Sequence, residues 1–144
     1  LKTIERLSRA DVPVRLLLAP VIPALNDEQI EAILEQGQAA GARAAGYVML
    51  RLPLEIRDLF VEWLQEHYPL KAEHVMARVR DSRGGKDYAS RFGERMRGTG
   101  IFAELIAKRF ALCAKRLGLQ NHEPTLDCSS FRAPEVAGQQ LSLL

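Results

Sequence analysis

The sequence predicts an α/β fold: two parallel strands with flanking helices, followed by a helical C-terminal region. Three observations predict it. Two short apolar runs, "VRLLLA" and "AAGYVML", are each followed within a few residues by proline. Segments of helical periodicity lie before, between and after them. Beyond Pro69 no further strand pattern appears, and a long amphipathic stretch takes over. Strands separated by a helix-length segment are the pattern of a βαβ unit.

Each element has its own local cause. Leu1, Ile4 and Leu7 recur at helical spacing among charged residues and predict a short amphipathic helix, broken by Asp11 and Pro13. Residues 14–19 are a run with branched apolar residues closed by proline, which predicts a strand apolar on both faces, as in a helix-covered parallel sheet. Asn26 with Gln29 three residues on resembles a capping box for a helix over residues 27–40. Ile30, Ile33 and Leu34 share a face of that helix, and Gly41 is suited to stop it. Residues 42–53 contain the second strand, ended by Pro53. Residues 54–68 form the next helix, with Leu54, Phe60, Trp63 and Leu64 as its apolar positions. Residues 71–81 read as a helix with Val75, Met76 and Val79 inward, residues 82–100 as glycine-rich loop, and residues 101–117 as a strong amphipathic helix stopped by Gly118. From Gln120 onward no period survives. The organisation is therefore an α/β part over 1–70, a helical, arginine-rich extension over 71–119, and an irregular or disordered tail over 120–144.

Two parallel strands do not make a stable sheet alone. The remaining strands are expected in residues outside this chain or in a second copy of it, so self-association is expected through the open edges. The chain opens inside a helical pattern without Met, as a piece of a longer protein would.

Composition bounds the function. The chain has 144 residues, 47% hydrophobic, with a net charge of +2. This is enough for one core and excludes a strongly basic or acidic polypeptide. Cys113 and Cys128 form no CxxC or regular spacing, which excludes a disulfide framework and a zinc site and predicts reduced thiols in a cytoplasmic protein. No apolar stretch reaches the roughly 20 residues that span a bilayer, so no membrane partner is expected. His67, His74 and His122 are scattered and imply neither metal nor triad.

The phrases "VPVRLLLAPVIPALND", "GARAAGYVMLRLPLE" and "RVRDSRGGKDYASRFGERMRGTG" together resemble the C-terminal half of radical S-adenosylmethionine (SAM) proteins of the DNA-repair-photolyase, spore photoproduct lyase-like group. The resemblance covers nearly the whole chain. It implies that the two strands are the fifth and sixth of a six-stranded partial (β/α) barrel, of which this chain is a fragment. It implies a parent enzyme that uses a 4Fe-4S cluster and SAM to generate a 5′-deoxyadenosyl radical and abstract hydrogen from a substrate. It also implies that the strand ends help to hold SAM, through Ile22, Leu52 and Arg51. An arginine there suits a carboxylate, though it could equally pair with Glu55. The chain lacks the Cys-x3-Cys-x2-Cys motif that binds the cluster, so it is expected to be inactive alone and to hold no cofactor itself. The missing N-terminal half of the barrel is then its first partner.

Two further segments suggest partners. Residues 78–98 carry Arg78, Arg80, Arg83, Lys86, Arg91, Arg95 and Arg97 against Asp81, Asp87 and Glu94, with Tyr88 and Phe92 interleaved. Arg78, Arg80, Arg83, Arg91, Arg95 and Arg97 are candidates for nucleic-acid phosphates, DNA in particular. The bland alternative is a solvated loop whose arginines pair with local acids. At the C-terminus, Gln140, Leu141, Leu143 and Leu144 resemble the short peptide with which bacterial repair proteins dock on the sliding clamp. The alternative is an apolar end that folds back on its domain. The rival to the enzyme reading is a non-enzymatic small α/β module that binds nucleic acid or the clamp.

Overall fold

The computed structural model describes residues 1–119 and 128–132. In chain order it contains α1 (Lys2–Arg9), β1 (Arg15–Val21), a 3-10 turn (Asp27–Gln29), α2 (Ile30–Ala39), β2 (Ala44–Met49), α3 (Ile56–His67), α4 (Ala72–Asp81) and α5 (Gly100–Arg116). β1 and β2 pair in parallel, with Leu16 opposite Ala45 and Leu18 opposite Tyr47. The register is irregular between Leu18 and Val21, where Pro20 has no N–H to offer the ladder. This is a mixed α/β fold with a helical extension.

Alternation along the strands decides which side is covered. Leu18, Ala45, Tyr47 and Met49 enter one core with Ile30 and Leu34 of α2 and Ile106, Phe110 and Cys113 of α5. Leu16 joins them, and Gly37 of α2 lets it come close: a Cβ at that position would stand 2.6 Å from Leu16 Cδ2. Tyr47 and Phe110 pack with ring centroids 4.8 Å apart. Arg109 of α5 fastens the same layer. It donates to both carboxylate oxygens of Glu31 at 2.9 and 2.8 Å and to Asp27 Oδ2 at 3.2 Å.

Among the described residues, the opposite face of β1 is bare. Sequence reasoning expects apolar cover on both sides, but among the described residues the helices lie on one. Leu17 is 59% exposed, and the Arg15 side chain lies across Gly46, where a Cβ would meet its Nη2 at 3.2 Å. α1 buries no residue and only leans Ile4 on the core.

A second core lies at the C-terminal ends of the strands. There Ile22 and Leu52 meet Leu64 of α3 and Val75, Met76 and Val79 of α4. The inward positions expected for α4 are the buried ones. Asn26 departs from expectation. Its side chain does not cap the following helix but turns back, accepting from Ile22 N–H at 2.7 Å and donating to Pro20 O at 3.1 Å. The loop after β1, carrying orphan backbone groups, competes successfully for it.

Candidate functional site

Beyond β2 the chain runs through Leu50, Arg51 and Leu52, and the loop after α4 returns to this point. Arg83 makes the junction. It is only 4% exposed, and its Nη2 donates to Leu50 O at 2.6 Å while its Nη1 donates to Glu94 O at 3.1 Å. Further contacts hold the loop in place. Met49 N–H donates to Met96 O at 2.9 Å, so the loop lies along part of the free edge of β2. Ser82, also buried, donates from Oγ to Val79 O and accepts from Thr99 N–H at its carbonyl. Gly98 closes on that carbonyl with φ 75°, leaving a Cβ only 3.0 Å from Ser82 O.

Neither Arg83 nor Arg51 has a carboxylate partner among the described residues. Arg51 donates from Nη2 to Tyr88 Oη at 3.2 Å, and its Nε is buried without a partner. Burial lowers the pKa of Arg83 from its ordinary value, and the neighbouring positive charge of Arg51 lowers it further. By contrast, Asp87 is saturated: it accepts from Arg57 Nε at 2.9 Å and Arg80 Nε at 2.6 Å. Burial pulls its pKa up, but the two guanidinium hydrogen bonds outweigh this and hold it below the usual carboxylate range.

A cavity of about 340 Å³ opens beside this junction. Arg83, Lys86, Tyr88, Ser90, Arg91 and Glu94 contribute to its wall. Arg91 donates to Glu94 Oε1 at 3.0 Å.

The structure sorts the sequence-derived candidates. Ile22, Arg51 and Leu52 do come together at the strand ends. Ile22 and Leu52 are packed in the second core, and Arg51 alone offers polar groups there. Of the six arginines, Arg83 and Arg91 reach the cavity. Arg78 pairs with Asp81 at 2.8 Å and lies over Phe102, while Arg80 pairs with Asp87. Arg95 lies over Phe92 at 5.2 Å, and Arg97 over Tyr47 at 4.6 Å on a different wall of the molecule. Gln140, Leu141, Leu143 and Leu144 lie outside the described residues, as does most of the segment 120–144. Sequence reasoning counted Lys86 in the basic segment and allowed for arginines paired with local acids, which Arg80 and Asp87 are, but it overlooked Ser90. The signal for that pairing is Asp87 standing as a lone acid between Lys86 and Tyr88 in an arginine-rich run.

Among the described residues, no group of three or more His, Cys, Asp or Glu side chains could hold a metal ion, and no helix is long and apolar enough to cross a membrane. Cys113 is buried on α5 and Cys128 is exposed. Compared with known proteins, the chain matches no family model, no curated protein and no solved structure.

Proposed function

We propose that this chain is the C-terminal wall of a radical SAM enzyme of the DNA-repair-photolyase-like group, a (β/α) barrel fragment completed by strands outside this chain. The observation that carries the reading is the one-sided sheet. β1 and β2 are parallel, their helices lie on one face, and Leu17 is left exposed on the other. Parallel sheets are otherwise covered on both faces, and a barrel interior is filled by side chains from its other strands. An apolar groove of about 250 Å³ along β1, lined by Leu17, Pro20 and Ile33, fits a preceding strand–helix unit of the same barrel.

The residues fit the cofactors unequally. The described cysteines offer no converging thiolates, so a 4Fe-4S cluster would be held by the other half. Arg51, with its unpartnered buried Nε at the strand end, is the residue of this chain suited to the SAM carboxylate. When bound, the cluster supplies the electron that cleaves SAM. This chain's part is to orient one end of SAM and to shut water from that wall. The rival reading, a small module that binds nucleic acid, draws on the arginine-rich loop, of which Arg78, Arg80, Arg95 and Arg97 are engaged with acids or aromatic rings away from the cavity.

The reading frame upstream of Leu1 provides the test. A Cys-x3-Cys-x2-Cys motif about 150–200 residues before Leu1 is expected, given a barrel of roughly 200 residues or more. An initiator codon directly before Leu1 would overturn the reading.

A further inference from the structure

We infer that the cavity beside Arg83 is a binding site for a phosphate monoester group, the terminal phosphate of a nucleotide or of a nucleic-acid end. The inference stands on this chain's own residues and does not require the enzyme reading.

Charge is the first argument. Arg83, Lys86 and Arg91 line the cavity, and among the described residues the only carboxylate on its wall is that of Glu94. Two positive charges are left over, the complement of a dianionic phosphate monoester. Arg51, behind Tyr88, adds to the positive field. Asp87, next to Lys86 in sequence, is occupied by Arg57 and Arg80 and takes no part in the wall.

The second argument is burial. Arg83 is 96% buried by its 4% exposure and is held by two backbone carbonyls rather than by a carboxylate. A buried guanidinium without a counter-ion is costly unless something neutralises it. The two carbonyls hold the Arg83 guanidinium in place at the cavity wall, while Lys86 and Arg91 line the same cavity as exposed side chains. A ligand then meets one fixed cation and two adaptable ones.

Geometry is the third. About 340 Å³ accommodates a phosphate and its ester group. Ser90 and Tyr88 place hydroxyls on the wall, which suit the remaining phosphate oxygens. A continuous phosphodiester backbone carries a single charge per phosphate and must leave the site at both ends. The two surplus positive charges on this wall match a dianionic chain terminus better than a monoanionic diester.

The experiment titrates the folded chain, at fixed ionic strength, with inorganic phosphate, adenosine monophosphate, and one oligonucleotide with and without a 5′-phosphate. Binding is followed by calorimetry and by the rise in Tm that ligand binding produces. Saturable binding of the phosphorylated oligonucleotide, about tenfold or more tighter than its unphosphorylated twin, is expected. Comparing inorganic phosphate with the monophosphate identifies which source fills the site. Arg83→Gln risks the fold, because it releases Leu50 O and Glu94 O. The decisive variant is therefore Lys86→Ala with Arg91→Ala, both exposed, which should keep the circular dichroism spectrum and lose about tenfold or more in affinity. Equal binding of the two oligonucleotides, undiminished binding by the double variant, or no saturable response to any phosphate would overturn the inference.

Discussion

Gly98 sits where the arginine-rich loop turns back onto α4, with a left-handed φ and a Cβ position facing the carbonyl of Ser82. Backbone does not yield as a side-chain tip does. Gly98→Ala should therefore cost about 1–2 kcal/mol, read as a lower urea midpoint at unchanged slope. Gly84→Ala, at φ 65° but with open space around the added methyl, should cost less. A second residue-scale prediction concerns Arg109. Its hydrogen bonds hold the pKa of Glu31 below the usual value. A carboxyl whose pKa is lower folded than unfolded contributes stability that is fully present above its unfolded pKa, roughly 4.3. That contribution is lost as pH falls through the folded value. Arg109→Met should remove about 1 kcal/mol at neutral pH, since these side chains are partly exposed. It should also flatten the acid limb of the stability curve, as measured by urea unfolding from pH 7 to pH 3. An acid limb unchanged by the substitution would contradict this account of Glu31.

At the scale of elements, β1 presents two surfaces of opposite character. Leu18 is buried against α2 and α5, and Leu17 stands in the open. An exposed apolar face beside an unpaired edge invites pairing with another chain. Wild-type protein is expected to self-associate with rising concentration in sedimentation experiments. Leu17→Asp should shift the distribution to monomer with little change in Tm, because Leu17 contributes little to the internal core. A monomer at every concentration would count against the bare face being an incomplete sheet. The sequence revealed most of this layer. Helical spacing marked Ile30, Ile33, Leu34, Val75, Met76 and Val79 as inward; all are buried except Ile33, which stays 38% exposed beside β1. It could not reveal that, among the described residues, one side of β1 lacks cover, because an apolar run looks the same whether its second neighbour is present or absent. Nor could it show that Asn26 serves the preceding loop instead of the following helix, since both uses need the same side chain at the same place. At the cavity, an arginine count singled out the segment but not the role of each residue. Arg78, Arg80 and Arg95 spend their charge or stacking on local partners, while Arg83 reaches across more than thirty positions to Leu50. Such long-range pairing is set by the fold and leaves no periodic trace.

At the scale of the whole molecule, the two cores divide the work. One binds the helices α2 and α5 to the sheet, and the other seals the strand ends under α3 and α4. Between them, the loop fixed by Arg83 carries the cavity and leaves Arg51 with an unused donor. None of this requires a cluster in the chain itself. Reconstituted alone with iron and sulfide, the chain should stay colourless, without stable absorbance near roughly 400 nm. We propose that this sheet is one wall of a larger radical SAM barrel. The most direct test of that proposal is production of 5′-deoxyadenosine from SAM by the protein extended through its upstream reading frame, after anaerobic reconstitution and reduction. The account predicts 5′-deoxyadenosine from the extended protein and its loss on replacement of the upstream cysteines. An extended protein that binds iron in no cluster, or holds a cluster and leaves SAM intact, would contradict it.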